Sequence, residues 1–279
     1  MLVIQGEKAF RRLVPIPASN IRFALNNRLP AQEADLVGFD AWADIAILKP
    51  KDKNFKPLGV AVLGDSDDLY PGASVASVCS QMGVNFSLAI GRVMQINLSD
   101  TSFINVIASD MPINPGCSGG PAMSSKSEVV GINIGIVGRN FSFHIPINHL
   151  KVLLPRLIKG EVKNADIAMA AANSWEIDAV SYRRLGINLP KKQGVIILDV
   201  ISKSLAELGG LRKGDVILSW NDKEVSDVND FVKFLLLDGV PGETVKIKVL
   251  RGDRELTLKV KLEERIAQEE VQLPYNKNK

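Results

Sequence analysis

The sequence lacks the features that would place it at a membrane or on nucleic acid. No apolar run approaches the roughly 20 residues that a helix needs to cross a bilayer. Residues 1–7 show no basic region followed by an apolar core, so the sequence predicts no signal peptide. The formal net charge is only +3, with both signs interspersed, which is not the electrostatic footprint of a nucleic-acid-binding protein. We therefore expect a protein with neither a membrane span nor a nucleic-acid partner.

Cysteine and histidine are both scarce, with two residues of each among 279. Two cysteines are too few to indicate a redox compartment, and no cluster of metal-ligating residues or other motif calls for a cofactor. Hydrophobic residues make up 46% of the chain and charged residues 23%, which is the ordinary balance of a globular protein. The length leaves room for two domains.

The most informative segment is a glycine-rich turn at residues 114–121, Asn-Pro-Gly-Cys-Ser-Gly-Gly-Pro, which presents a single serine, Ser118. Glycine adopts backbone angles that residues with a Cβ avoid, so the amides of Gly116, Cys117 and Ser118 can point at a common spot. Amides arranged in this way form an oxyanion hole. A glycine-rich turn is also a common surface loop before a strand, and an apolar run follows at 129–136.

Three further segments accompany this turn. Asp44 stands at the head of a short apolar strand at 45–49, and the sequences Leu-Gly-Asp-Ser-Asp at 63–67 and Phe-His-Ile-Pro at 143–146 come later. Taken in order, these pieces resemble the HtrA/Deg family of trypsin-like serine proteases, in which one or more PDZ domains follow the protease domain. The resemblance runs over about residues 38–263.

This resemblance implies a mainly β fold: a trypsin-like double β-barrel followed by one PDZ domain. Residues 1–52 cover only the later strands of the first barrel, so we expect that barrel to be incomplete unless residues 2–5 supply a replacement strand. The predicted division of the chain is 1–160 for the protease domain, which is N-terminally incomplete, 161–174 for a linker, 175–264 for the PDZ domain and 265–279 for a solvated tail.

The second barrel is predicted to be intact over 58–138. Its short strands are separated by Gly, Pro, Asn and Asp, and they are predicted at 73–78, 87–90, 92–96 and 103–107. An amphipathic helix is predicted over 147–159, with Gly160 as its stop signal.

By the same resemblance, Ser118 is the nucleophile and Asp44 orients the catalytic histidine. The triad of such proteases follows the order His, Asp, Ser, yet both histidines, His144 and His149, come after Ser118. The segment 9–17, where the resemblance places the base, contains no side chain that accepts a proton near neutral pH. A serine without a base is a poor nucleophile, and the loss of a triad member costs several orders of magnitude in rate. We therefore expect the chain as printed to be nearly inert as a protease.

Two interpretations follow. The first is an HtrA-type serine endopeptidase of protein quality control, acting on unfolded polypeptides, from which an N-terminal section with the histidine and an export signal is missing. The second is a non-catalytic pseudoprotease that holds peptides in its PDZ groove. Members of the family are commonly periplasmic or organellar and often form trimers through the N-terminal region. A homo-oligomer is therefore an expectation from the resemblance, and the compartment stays undetermined.

The sequence favours one role for each of the two histidines and two cysteines. His144 alternates with apolar neighbours along a strand at 141–146, so it faces the substrate cleft or solvent, and a pocket-lining or hydrogen-bonded structural role is favoured over proton transfer. His149 is predicted to be a helix residue with no chemistry. Cys79 and Cys117 can approach each other, but two separate buried thiols are the simpler interpretation because disulfide geometry is narrow.

The second half of the chain carries the PDZ-like motifs, above all Gly-Leu-Arg-Lys-Gly-Asp-Val-Ile-Leu at 210–218. In a PDZ domain an extended peptide adds as a strand, its C-terminal carboxylate meets a glycine loop, and its last side chain enters an apolar pocket beside a helix. The resemblance places the peptide beside a strand at 195–200 and a helix at 228–237. The peptide-binding residues predicted in this way are Gln193, Gly194, Val195, Ile196, Ile197, Val232 and Leu235. For the apolar members of this set, ordinary core is the alternative.

Overall fold

The computed structural model describes residues 21–23, 30–40, 42–98, 105–137, 141–160 and 162–265. The strands are β1 Ile21–Phe23, β2 Gln32–Asp40, β3 Ile45–Pro50, β4 Ser74–Gln81, β5 Val84–Leu98, β6 Val106–Ser109, β7 Pro121–Ser124, β8 Val129–Val137, β9 Phe141–Pro146, β10 Ala165–Asp166, β11 Met169–Asn173, β12 Val195–Val200, β13 Val216–Trp220, β14 Lys223–Glu224, β15 Thr244–Arg251, β16 Arg254–Lys261 and β17 Glu263–Glu264. The helices are α1 Ile147–Leu157, α2 Ala179–Leu185, α3 Leu205–Leu208 and α4 Val228–Asp238, with 3₁₀ turns at Ser66–Asp68 and Ser174–Glu176. No helix within these ranges is long and apolar enough to cross a bilayer.

The first sheet consists of β1, β2 and β3 in antiparallel order. Within the described ranges this sheet has three strands and is open, and the predicted incompleteness of the first barrel stays a prediction. The replacement strand predicted at residues 2–5 lies outside the described residues. The sheet rests on the end of α1, where Gly38 leaves no room for a side chain: a Cβ there would lie 1.9 Å from the carbonyl oxygen of Leu157.

The second barrel is closed, with the strand order β4-β5-β6-β9-β8-β7. The prediction of separate strands at 87–90 and 92–96 is wrong, because β5 runs unbroken through Gly91. This glycine serves a close approach and not a break, since a Cβ would lie 2.5 Å from the backbone of Met111. The strand predicted at 103–107 corresponds to β6, which begins at Val106. The barrel is filled by apolar side chains, among them Val75, Val93, Ile107 and Val130.

Helix α1 joins the three parts of the molecule. It ends at Leu157, two residues before the predicted end, and Gly160 follows with a φ of +127°. Its apolar face contributes Leu153 and Leu157 to a cluster shared with Ile45 of the first sheet, Ile145 of the barrel and Leu236 of α4. This shared core fixes the barrel, the first sheet and α4 against one another.

A single arginine adds polar contacts to this packing. The guanidinium of Arg156 donates to the carbonyl oxygens of Leu237 at 2.8 Å and Gly239 at 3.2 Å, where α4 ends. A cation is favourable at the C-terminal end of a helix, where carbonyl groups lack helical partners.

The C-terminal sheet has the order β11-β12-β13-β15-β16, with β14 beside β13. The stretch 161–174, predicted to be a linker, instead supplies two strands: β11 is the first strand of this sheet, and β10 pairs with β17. The linker prediction is wrong because Met169 and Ala171 of β11 are buried in the same core as α4. The structural unit therefore begins near residue 162 and not at 175.

Candidate active site and peptide groove

The glycine-rich turn at 114–121 is named the nucleophile turn after the role predicted for its serine. Ser118 is exposed at its tip, and its Oγ donates to the carbonyl oxygen of Ile134 at 3.2 Å. Gly116 has a φ of +103° and so adopts the left-handed backbone that the sequence predicts. The amide of Cys117 donates to the carbonyl of Asn114 at 3.0 Å, so its predicted place in an oxyanion hole is wrong. The amides of Gly116 and Ser118 donate to no described residue, so both N–H groups are available to another acceptor.

The hairpin of β4 and β5 holds the nucleophile turn from one side. Cys79 and Cys117 form a disulfide with a Cα–Cα distance of 4.9 Å, so the interpretation as two separate thiols is wrong. Close to this bond, the amide of Met82 donates to the carbonyl of Pro115 at 2.8 Å. The covalent bond and this hydrogen bond tie the residues on either side of Gly116 to one hairpin.

Asn133 holds the turn from the other side. Its carbonyl accepts from the amide of Gly119 at 2.7 Å, and its own amide donates to the carbonyl of Gly120 at 2.9 Å. The side-chain Nδ2 donates to the hydroxyl of Ser77 at 2.8 Å and to the carbonyl of Cys117 at 3.3 Å. Because Asn133 is fully buried, these bonds form in a low-dielectric interior where a polar group needs its partners.

His144 completes this buried chain of polar groups. Its Nδ1 lies 2.8 Å from Oδ1 of Asn133, and its Nε2 lies 2.7 Å from Oγ of Ser109. The Asn133 oxygen can only accept, so Nδ1 carries the proton and Nε2 accepts from the Ser109 hydroxyl. Burial lowers the pKa of His144 to about 4, which keeps the ring neutral near neutral pH.

This geometry decides between the roles predicted for His144. The residue is fully buried and faces neither an open cleft nor solvent, because β9 runs between β6 and β8 inside the barrel wall. Both ring nitrogens have partners other than Ser118. The hydrogen-bonded structural role is therefore the one that its contacts support.

Asp44 ends the turn between β2 and β3 and has a φ of +56°. It is exposed, and its carboxylate has no hydrogen bond or ion pair with any described residue. Its neighbour Ile45 belongs to the same apolar cluster as Ile134, the residue whose carbonyl accepts from Ser118. Asp44 thus precedes a residue of this cluster, and Ser118 donates a hydrogen bond to another residue that packs against it.

The sequence prediction missed the groups that support this site. Asp40 is buried, and its Oδ1 accepts from the amides of Trp42 and Ala43 at 2.9 and 3.0 Å and from Nδ2 of Asn164 at 2.9 Å. These bonds shape the turn that carries Asp44. A signal existed for the other missed group, because Asn133 is the one amide in the apolar run 129–136.

The predicted peptide groove is misplaced. Of its predicted residues, Gln193 is exposed, whereas Gly194, Val195, Ile196, Ile197, Val232 and Leu235 are all buried. Strand β12 pairs with β11 along its length and with β13 at its start, so a peptide has no free edge beside 195–197. The prediction that a peptide adds as a strand beside β12 is therefore wrong, because both edges of β12 are already paired there. The apolar residues of the predicted set belong to the domain core instead.

The free edge belongs to β11. Among the described strands β11 pairs only with β12, and α4 packs beside it through the shared core of Met169, Ala171 and Val232. The side-chain oxygen of Asn173 accepts from the amide of Val228 at 2.8 Å and fixes the start of α4 against the strand. An edge strand beside a helix is the arrangement that accepts an added peptide strand.

Comparisons with known proteins agree with this two-part architecture. A family model of the trypsin-like peptidase domain matches residues 3–132, and one of the PDZ domain matches 183–262. The serine protease Do-like HtrA of Bacillus subtilis (strain 168) is 32% identical over 250 residues, which cover 83% of this chain and 55% of that protein. A probable periplasmic serine endoprotease DegP-like of Ectopseudomonas mendocina (strain ymp) is 34% identical over 237 residues, covering 82% and 48%.

The solved structure of the HtrA-type protease AlgW with a decapeptide superposes with a TM-score of 0.71 at 26% identity, covering 89% of this chain and 76% of that chain. The chain spans about half the length of the curated relatives that it matches.

Proposed function

Because the chain belongs to the HtrA/Deg family of trypsin-like serine proteases with a C-terminal PDZ domain, we propose that Ser118 is the nucleophile of a serine endopeptidase site. The observation that carries the proposal is the exposed Ser118 hydroxyl beside the two unbonded amides of Gly116 and Ser118. Those amides can stabilise the oxyanion that forms when a serine attacks a peptide carbonyl. The turn is held rigidly by the disulfide and by Asn133, as such preorganisation requires.

Among the described residues, no basic side chain lies within hydrogen-bond reach of the Ser118 hydroxyl. Transfer of the hydroxyl proton needs a base within hydrogen-bond reach, which in trypsin-like sites is an imidazole. His144 has both nitrogens bonded elsewhere, and His149 lies in α1 without a contact to Ser118. Asp44, whose proposed role is to orient such an imidazole, is correspondingly without a partner among the described residues. We therefore expect these residues to supply the nucleophile and the oxyanion amides, and to hydrolyse peptides slowly unless a base is added.

Chemical rescue tests both halves of this proposal. Purified residues 1–279 should cleave casein no faster than Ser118→Ala. Added imidazole should raise the rate of the unmodified chain but not that of Ser118→Ala, because free imidazole can act as the base for the serine hydroxyl. The exposed Ser125→Ala serves as a matched control and should respond to imidazole like the unmodified chain. Turnover that needs Ser118 without imidazole would show that a base is already present. No response to imidazole at any concentration would remove the support for an intact nucleophile site.

A second function, peptide binding without hydrolysis, is favoured by the free edge of β11. We place the peptide between β11 and α4, where its C-terminal carboxylate would lie near Ala168 at the head of the strand. Ala168 has a φ of +39°, so the backbone turns sharply there, as a loop must in order to aim its amides at one point. Peptide complexes of the HtrA-type protease AlgW support this class of ligand. Unfolded polypeptides are the proposed substrates, and a homo-oligomer stays an expectation from the family.

A further inference from the structure

A cavity of about 400 Å³ lies between the second barrel, the start of α1 and α4. It is separate from the Ser118 turn and from the edge of β11, since none of its lining residues belongs to either. Its apolar wall includes Ile96 and Ile107 of the barrel and Leu237 of α4. Its polar lining includes His149 and two lysines. The volume is within the range of small-molecule sites in proteins.

Among the described lining residues, His149 is a buried polar side chain that lacks hydrogen-bond partners. Only 3% of the residue is exposed, and its Nε2 atom is buried without a hydrogen-bond partner. No described residue supplies a hydrogen bond to the rest of the ring. A buried imidazole without partners costs free energy, and native proteins satisfy such groups with an ordered water, an ion or a ligand.

Charge selects among these occupants. Lys233 of α4 lines the cavity and forms no ion pair or hydrogen bond in the described part of the chain. Lys151 uses one N–H on the carbonyl of Gly64 at 2.6 Å, which leaves two for another acceptor. Among the lining residues that the structure describes, Asp67 is the one acidic residue. Burial, and after it the charge of Lys233, lowers the pKa of His149 to about 4, so the ring is neutral and the lining carries a net charge of about +1.

We propose that this cavity binds a small organic carboxylate with a short aliphatic group. The carboxylate would accept hydrogen bonds from Nε2–H of His149 and from the ammonium groups of Lys233 and Lys151, and the aliphatic group would lie against Ile96, Ile107 and Leu237. A monoanion balances the net charge of the lining. Phosphate fits less well, because none of the described lining residues is an arginine that could meet its oxygens in pairs.

Two sources supply this chemistry: a free aliphatic acid and the C-terminal leucine of a peptide. The probes are 3-methylbutanoate, its neutral amide 3-methylbutanamide, and the peptide N-acetyl-Gly-Gly-Leu. The full chain, labelled with ¹³C at histidine Cε1, gives two signals because it contains two histidines, and His149→Gln identifies which is which.

We expect 3-methylbutanoate to shift the His149 signal in a saturable way in the millimolar range or below, and 3-methylbutanamide to bind at least tenfold more weakly. Lys233→Met should weaken the acid at least tenfold, while Lys233→Arg keeps the charge and should bind. The exposed Lys213→Met is the control and should bind like the unmodified chain. If the peptide saturates the shift at lower concentration than the free acid, and does so only with Lys233 present, a peptide terminus is the source; the reverse order supports a free acid.

An unmoved His149 signal across the millimolar range would overturn the proposal. So would equal shifts from the acid and its amide, or undiminished binding by Lys233→Met. Ser118→Ala should leave every one of these results unchanged, because the cavity does not depend on the nucleophile. The outcome is thus independent of whether the chain proves to be an endopeptidase.

Discussion

Nδ1 of His144 lies 2.8 Å from Oδ1 of Asn133, and the same Asn133 side chain donates to the carbonyl of Cys117, the residue before the exposed serine. Through one amide group, a buried histidine is therefore coupled to the backbone of the nucleophile turn. Hydrogen bonds link Ser109 to His144, His144 to Asn133, and Asn133 to Ser77, so both ring nitrogens and both ends of the amide have partners. A fully satisfied buried network of this kind specifies one geometry more strictly than apolar packing does.

Asn133→Ala should loosen the nucleophile turn. The substitution leaves Nδ1–H of His144 without its acceptor in the core and removes the Asn133 donor from the Ser77 hydroxyl, while the carbonyl of Cys117 keeps the amide of Gly120. We expect a cost of about 2 to 4 kcal/mol in the free energy of unfolding. We also expect faster hydrogen exchange at the amides of Gly119 and Gly120, which close the turn. Denaturant unfolding and amide exchange measure the two effects. The exposed Asn54→Ala is the control, and exchange rates equal to the control would contradict the coupling.

The pH dependence of stability should report both buried histidines. Burial lowers the pKa of His144 and of His149 from 6.5 to about 4, so the unfolded chain binds protons that the folded chain excludes. The free energy of unfolding therefore does not depend on these histidines well above pH 6.5. It falls as the pH drops from 6.5 toward 4, and the loss at pH 5 is about 2 kcal/mol per histidine. His149→Gln should remove roughly half of the histidine-linked loss. An unchanged difference between pH 7.5 and pH 5 in that variant would show that His149 is not buried as a neutral ring.

Substitution of two aspartates four residues apart should change the free energy of unfolding by very different amounts. Asp44 is exposed and has no partner among the described residues, so Asp44→Asn should change the unfolding free energy by less than about 0.5 kcal/mol. Asp40 is buried and accepts three N–H bonds, so Asp40→Ala should cost more than about 2 kcal/mol. Equilibrium urea unfolding compares the two. A loss above about 2 kcal/mol for Asp44→Asn would mean that Asp44 belongs to a structural network.

The order of the elements and the nucleophile turn were predictable from sequence because they depend on local patterns. Glycines at 116 and 119 indicate a left-handed turn around Ser118, and both have positive φ in the structure. The amphipathic period of 147–159 predicts a helix there, and α1 covers Ile147–Leu157. Each of these patterns involves residues close together in the sequence, so backbone sterics and the side-chain period decide the local structure.

Long-range pairing explains the errors. The Ala-rich stretch at 169–173 has no strong strand pattern and looks like a linker, but pairing with β12 makes it a strand, because tertiary contacts override weak local preference. That one error moved the predicted groove from β11 to β12. The disulfide is a similar case, since the approach of Cys79 to Cys117 depends on the register of β4 and not on any local signal.

The corrected groove leads to a prediction for peptide binding in the full chain. Peptides that end in an apolar residue with a free carboxylate should bind with micromolar affinity, about −8 kcal/mol, which is what a short added strand and one filled pocket supply. In a ¹⁵N-labelled chain, the backbone amide signals of β11 Met169–Asn173 should shift most. Those of β12 should shift less, because β12 already has strands on both sides.

Amidating the peptide terminus removes the charge that the loop before β11 would receive, so affinity should fall at least tenfold. Calorimetry with the free and amidated peptides measures that difference, and a peptide of the same composition with a C-terminal aspartate is the control for the apolar pocket. Equal binding of the free and amidated forms, or shifts confined to β12, would show that the peptide does not add to the edge of β11.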